Sequence, residues 1–277
     1  MADARYNIVL IDPPGYGHAM AFWEVAMLLE ASLTSLGIPV TLQNNRFEAD
    51  ATNIVLGYHL FPDAAALRGL RYIPYQLEQF SPESVWITPA QVEVLRGAAE
   101  VWEYSARNLS ILEAQGIGNV KLLPLGYHPK LEMIPPAGEE EKVVDVLHYG
   151  SLNPRRQKVL SELQQAGLRV ESLMGVYGRE RDEAIARAKL VISIHFYQAK
   201  ILPQVRIAYL LNNAVPVVCE ASEEETFAEM IATVPYVSLT ETCVALVKDR
   251  ESRQALGRRG YELFRQRPMT EYLRRLL

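Results

Sequence analysis

Three breaks in the apolar pattern of this chain carry the residue types that could do chemistry. The first is Asp12-Pro13-Pro14-Gly15-Tyr16-Gly17-His18, directly after the apolar run 7–11. Gly15 and Gly17 allow close backbone approach, and histidine, here His18, changes charge near neutral pH. The second is Gly150-Ser151-Leu152-Asn153-Pro154-Arg155-Arg156. Asn153 suits a helix N-cap and Pro154 the first helical position, so Arg155 and Arg156 fall in a first turn. Cations there oppose the helix dipole by roughly 0.3–1 kcal/mol each, and an anion at the helix end reverses that penalty. The third runs from His195, through Leu202-Pro203-Gln204-Val205-Arg206, to Glu220. The amides opening a helix at Gln204 and Val205, with Arg206, suit a diphosphate, while Glu220 suits the hydroxyls of a sugar or ribose. The common theme is an anionic, phosphate-bearing ligand.

Each feature also has a plainer reading. The alternative for the Gly15 loop is a tight strand-to-helix turn, for the two arginines plain solvation, and for Glu220 a carboxylate at a helix start, the last weighing as much as the ligand role. Tyr177 and Gly178 could support a stacked base or form a turn. Missing motifs narrow the chemistry further. Met20 stands where a dinucleotide fingerprint has its third glycine, and no Gly-Lys-Ser/Thr occurs, which disfavours an ordinary dehydrogenase or ATPase. There is no Asp-x-Asp pair and no His or Cys cluster with ligand spacing, so no metal cofactor is expected. Gly-x-Ser-x-Gly is absent too, which weakens a serine hydrolase reading.

The elements that position these groups alternate. Apolar strands are expected at 7–11, 38–42, 53–56, 70–77, 101–102 and 120–123, with helices at 20–36, opening near Ala19, and at 106–115. A Pro- and Gly-rich stretch, 124–142, interrupts the pattern. The alternation then restarts with strands 143–149, 168–173, 190–194 and 215–219, helices 154–166 and 180–188, and one opening near Pro203. Amphipathic helices follow Pro235, the last resuming after Pro268. This predicts an α/β protein of two Rossmann-like, doubly wound domains with parallel sheets. The boundaries read as 1–125, a linker 126–142, 143–255 and C-terminal helices 256–277. Ligands of such sheets bind beyond the carboxyl ends of strands, where His18, His59 and His195 fall. His148 lies inside a strand as a core residue and His128 in the linker. The segment 72–80 and Trp86 suit an acceptor site or a domain core equally.

At 277 residues the chain has room for two small domains. A net charge of −5 argues against a nucleic acid duplex as a main partner. Cys219 and Cys243 sit in apolar segments and read as buried free thiols, pointing to a reducing cytoplasm. No apolar run reaches about 18 residues, so no transmembrane segment is expected, and peripheral membrane contact is left open.

With these residues the chain resembles the glycosyltransferases of GT-B fold, in particular bacterial members of the group-1-like type. The similarity is carried by Tyr149-Gly150-Ser151-Leu152-Asn153-Pro154-Arg155-Arg156, by 168–178 and above all by 188–220; Leu123-Pro124-Leu125-Gly126-Tyr127 looks like the family's domain junction. The resemblance implies two domains facing a cleft, a nucleotide-sugar donor held mainly by the second, and a final helix crossing back to the first. It puts the Gly150 loop with Arg155 or Arg156 near the donor phosphates, the amides of the helix from Gln204 at the diphosphate, and His18 toward the acceptor. Many relatives carry a ribose-gripping acid two or three positions before the arginine of that helix. Here Pro203 and Gln204 occupy the region, a departure that bears on donor identity and on activity.

The leading expectation is therefore a metal-independent glycosyltransferase of hexosyltransferase class, moving a sugar to a hydroxyl acceptor in glycan biosynthesis. An inverting reaction needs a base, for which His18 is the first candidate and Asp12 and Glu78 the reserves. A nucleotide-sugar epimerase and an inactive binding protein of the same fold are the alternatives.

Overall fold

The first strand, β1 (Tyr6–Leu10), is buried along its whole length, which is why it reads as an unbroken apolar run. A computed structural model of the chain describes residues 5–61, 64–80, 88–197, 200–223 and 226–277; Trp86 lies outside the described residues. The chain divides into two units. One comprises residues 1–130 with 268–277, the other 131–267.

In unit 1, β1 is joined by β2 (Val40–Asn44), β3 (Thr52–Leu56), β4 (Tyr72–Gln76), β5 (Val101–Glu103) and β6 (Val120–Leu122). They pair in parallel in the order β2-β1-β3-β4-β5-β6, with Ile8 opposite both Leu42 and Ile54. The direction of winding reverses between β1 and β3, so the ligand crevice expected of such a sheet opens at their carboxyl ends. Helices α1 (Trp23–Ser35), α2 (Pro89–Arg96) and α3 (Ala106–Ala114) cover the sheet. Thr88 caps α2 in a reciprocal capping box with Gln91, and Ser105 caps α3. Val9, Val55, Tyr72, Phe80 and Val101 share one core.

In unit 2, β7 (Val144–Tyr149), β8 (Val170–Leu173), β9 (Ala188–Ser193), β10 (Val217–Glu220) and β11 (Ala232–Val234) form a second parallel sheet. Its order is β11-β10-β9-β7-β8, which places the reversal between β7 and β9. Helices α4 (Pro154–Gln165), α5 (Gly178–Ala186), α6 (Gln204–Asn212), α7 (Leu239–Lys248) and α8 (Arg250–Arg265) surround it. Val146, Val159, Leu163, Leu190, Ile192, Val218 and Leu239 fill one core, each such side chain contributing about 1.5–3 kcal/mol on burial. Cys219 and Cys243 are buried free thiols, and burial pushes both up to about 12.

Several expectations need correction. The helix after the first loop does not open at Ala19. Residues Ala19–Phe22 form a 3-10 turn, and the α-helix starts at Trp23, with Glu24 in its first turn. Both forms satisfy the same apolar spacing, so the sequence period does not separate them. Strand β11 is too short to leave a pattern. The proline-rich stretch is also more ordered than its composition suggests. Asn213 Oδ1 accepts the Met133 and Ile134 amides at 2.8 and 2.9 Å, and its Nδ2 donates to the Leu131 carbonyl at 2.9 Å. Of the C-terminal helices, α8 packs on α6 and α7, whereas α9 (Met269–Leu276) buries Met269 and Leu273 beside α1 in unit 1. Among the described residues, no helix is long and apolar enough to cross a membrane.

Candidate functional site

The carboxyl ends of β7, β9 and β10 lie side by side in unit 2, and the sequence places polar groups at each. Gly150 follows β7 with φ +119°, and a β-carbon there would stand 2.7 Å from Nη2 of Arg206. The glycine thus admits the guanidinium, which also lies over the Tyr149 ring, 4.9 Å from its centroid. Asn153 caps α4 by accepting the Arg156 amide at 2.9 Å, and donates to the Phe196 carbonyl at 3.1 Å. Arg156 is buried. It donates to the Ile194 carbonyl through Nε at 2.9 Å and to the Ser151 carbonyl through Nη1 at 2.6 Å. These bonds tie the Gly150 loop to the end of β9. Burial and the neighbouring Arg206 charge lower its pKa to about 10.

Glu220, the last residue of β10, is 1% exposed and forms a two-pronged ion pair with Arg155, in which Nη1 donates to Oε2 at 2.5 Å. The His195 amide donates to the same oxygen at 3.1 Å, and Lys200 stands 3.6 Å from the other. Burial alone would raise this carboxyl, but the Arg155 and His195 hydrogen bonds hold it below its ordinary value. Arg155 also lies over the Tyr236 ring, its guanidinium 4.0 Å from the centroid.

Three side chains at this sheet end carry atoms with no partner among the described residues. They are Nε and Nη1 of Arg206, Oε1 of Gln204, and both ring nitrogens of His195, all buried. A buried polar group left unbonded costs about 1–3 kcal/mol, so their convergence marks a place for a ligand. Gln204, Val205 and Arg206 form the first turn of α6, for which Pro203 provides no side-chain cap. A ligand with anionic oxygens would meet the guanidinium, and His195 could donate or accept. Glu220 is committed to Arg155 and so holds that cation in place. Tyr177 is the N-cap residue of α5, beyond β8 at the sheet edge. His148 is a buried residue of β7. Its Nδ1 lies 3.1 Å from Ser172 Oγ, and burial with the Arg206 and Arg156 charges lowers its pKa to about 3.

Unit 1 gathers a different set. His18 is exposed, its ring edge-on to Tyr16 at 5.7 Å. The Asp12 main chain is clipped by Asn45, whose side chain accepts from its amide at 2.8 Å and donates to its carbonyl at 2.7 Å. Gly15, with φ +78°, and Gly17 have open space around them. The polar cluster lies further along the sheet, at the ends of β3, β4 and β5. His59 Nε2 is 3.5 Å from Glu78 Oε1. Burial lowers the imidazole to about 4 and raises the carboxyl to about 7. Glu103, fully buried, accepts from the Ser105 amide and Asn108 Nδ2, both at 2.9 Å, yet burial still lifts it to about 8. Asn108 also donates to the Glu78 carbonyl at 3.0 Å, and Gln76 holds the Glu78 amide at 2.8 Å. Sequence reasoning missed Glu103, Gln76 and Asn108. The available signal was a carboxylate closing the buried run Val101-Trp102 at a strand's carboxyl end. Among the described residues no group of three His, Cys, Asp or Glu side chains is placed to hold a metal.

No family model matches the chain. Among curated proteins it is 29% identical over 101 residues to uncharacterized protein L138 of Acanthamoeba polyphaga mimivirus, covering 36% of this chain and 11% of that one. It is 27% identical over 158 residues to uncharacterized protein L140 of the same virus, covering 53% and 50%. The chain thus spans no more than half the length of these curated relatives. Solved structures match it almost end to end. An alpha-glucosyltransferase, in complex with UDP and a 13-mer DNA containing an A:G mismatch, superposes with TM-score 0.64 at 11% identity, covering 95% of this chain and 96% of its own. T4 phage beta-glucosyltransferase gives 0.59 at 12%, and AviGT4, a glycosyltransferase involved in avilamycin A biosynthesis, 0.58 at 14%, each over 99% of this chain and 98% of its own. In fold, therefore, this chain is a GT-B protein, built like these glycosyltransferases from two parallel α/β sheets.

Proposed function

We propose that the chain is a glycosyltransferase that takes a sugar from a nucleoside diphosphate donor and passes it to a hydroxyl acceptor. The observation that carries the reading is Arg206, whose buried Nε and Nη1 lack partners among the described residues and whose Nη2 lies against a glycine that leaves room for the guanidinium. Phosphate oxygens would satisfy both donors, and Arg156, Gln204 and His195 frame the same sheet end. The fold supports the reading, since two of its solved relatives are complexes with UDP and with UDP-glucose. No metal is required in this scheme, because guanidinium groups and amides supply the positive charge. The sugar is proposed to be a hexose and the acceptor a hydroxyl compound other than a nucleic acid duplex, in keeping with the net charge of −5.

For an inverting transfer, we assign the proton-accepting role to Glu78 ahead of His18 and Asp12. Its carboxyl titrates near 7 and faces an imidazole that is neutral at that pH, so it can take and release a proton under working conditions. In a retaining transfer no such base is needed, and product stereochemistry by NMR separates the two. Calorimetry with uridine, guanosine, adenosine and thymidine diphosphates tests the donor site. Binding of one of them, weakened in Arg206→Met, is the expected result, and no heat from any of the four would refute the reading. A second reading, binding without transfer, is favoured by the Arg155 clamp, which occupies the Glu220 carboxylate a ribose would otherwise meet. Tight diphosphate binding with no sugar released to any acceptor would establish it.

A further inference from the structure

Unit 2 carries a cavity at the opposite, amino-terminal end of its sheet. It has a volume of about 350 Å³ and lies where β9 and β10 begin, roofed by the proline-rich segment before β7. That volume falls in the range of small-molecule sites, roughly 300–1,000 Å³. Ile134, Pro135, Ile185 and Pro216 make part of its wall apolar. The charged lining is lopsided: Lys142, Lys189, Arg253 and Arg258 against Glu139 alone.

The acids nearby are already committed. Glu139 is the ion-pair partner of Arg253, and Asp145 binds Lys189 at 2.8 Å and Arg169 at 3.0 Å. Two lining cations remain without a carboxylate partner. Lys142 donates to the Ala186 and Ala188 carbonyls, both at 3.0 Å, and Glu139 and Glu141 act on its charge only through space, with no ion pair formed among the described residues. Arg258 stands exposed at the rim, and neither residue makes an ion pair with a described acid. Gln254, half-buried on the same helix, adds a neutral donor and acceptor to the lining. An ammonium and a guanidinium lining the same apolar-walled hollow form a complementary site for an oxyanion with a hydrophobic body.

We propose that this cavity binds a small organic anion, one carboxylate or phosphate group on an apolar body, independently of the donor site. The occupant would lie against the segment whose Met133 and Ile134 amides are held by Asn213, the residue that ends α6. Binding should therefore slow hydrogen exchange at those two amides.

The test titrates the full chain with benzoate and phenyl phosphate, followed by calorimetry and thermal shift against salt-matched controls. The benzoate arm reports a carboxylate site and the phenyl phosphate arm a phosphate site. At least one should bind about tenfold more tightly than acetate or inorganic phosphate, which lack the apolar body. Arg258→Glu and Gln254→Glu, both on the outer part of α8, should each weaken that binding by about tenfold. No stabilisation by either probe, equal binding of acetate or inorganic phosphate, or full binding in Arg258→Glu would overturn the proposal. Uridine diphosphate titrated into the same variants reports on the donor site separately, so one reading can fail while the other stands.

Discussion

Arg206 destabilises the protein in the place it occupies. Two of its N–H donors are buried with no acceptor among the described residues, and its charge adds to burial in depressing both His148 and Arg156. A residue selected for stability alone would not sit there, which is the physical reason to read it as a ligand group. Arg206→Met keeps most of the side-chain volume and removes the unbonded donors. We expect its melting temperature to equal or exceed that of the parent, while the diphosphate affinity falls by about 2 kcal/mol, roughly thirtyfold. A variant that melts lower and binds as before would make the arginine structural. Arg155 should behave in the opposite sense. Its loss strands the Glu220 carboxylate, 1% exposed, with only Lys200 and an amide. Breaking a fully buried pair costs about 3–5 kcal/mol; Arg155 is 32% exposed, so for Arg155→Ala we expect about 2 kcal/mol in urea denaturation, and less for Glu220→Gln.

At the level of elements, α8 shows how far local rules reach. Gly257 and Gly260 lie in its interior, where glycine ordinarily weakens a helix by about 1 kcal/mol relative to alanine. A β-carbon at Gly257 would stand 2.4 Å from the Ala214 carbonyl oxygen, and one at Gly260 2.5 Å from that of Met230. Both contacts are backbone, which cannot swing aside. Gly257→Ala should therefore lower the unfolding free energy read from urea denaturation by about 2 kcal/mol, where the propensity scale alone predicts a gain. The same contrast explains what the sequence disclosed. Strands buried on both faces, such as β1 and β9, announce themselves as apolar runs, and Asn153-Pro154 marks the start of α4 through chemistry confined to four residues. The 3-10 turn ahead of α1 shares the helical spacing and stayed hidden. Arg155 and Glu220 are 65 residues apart, and only the order β10-β9-β7 brings them together. Glu103 was overlooked because the apolar run that marks its strand stops at Trp102, one residue short of the carboxyl end that gives Glu103 its interest.

Across the whole molecule, buried titratable groups set a pH dependence whose sign can be worked out. Glu103 and Glu78 titrate near 8 and 7 in the folded chain against 4.5 when unfolded, so the folded state holds more protons than the unfolded state between those values. Stability then falls as pH rises through that window. His59 and His148 are lowered to about 4 and 3 from 6.5, so they act the other way, adding stability as pH climbs to about 6.5 and nothing beyond. Asp145, held low by Arg169 against the opposing effect of burial, loses its contribution only in acid. The two carboxyls are thus left in control from about pH 6.5 to 8, where the slope should be about −1 to −2 kcal/mol per pH unit, and past pH 8 the thiols of Cys219 and Cys243, raised from 9 to about 12 by burial, carry the decline on. Calorimetric melting from pH 6.5 to 8.5 should show a steady decline. Glu103→Gln keeps an acceptor for the Ser105 amide and Asn108 and cannot ionise, so it should match the parent near pH 5 and melt increasingly above it toward pH 8.5. Parallel melting curves for the two proteins would mean that Glu103 is already charged in the folded state. The cluster at the ends of β4 and β5 would then have lost the proton that makes its carboxyls chemically distinctive.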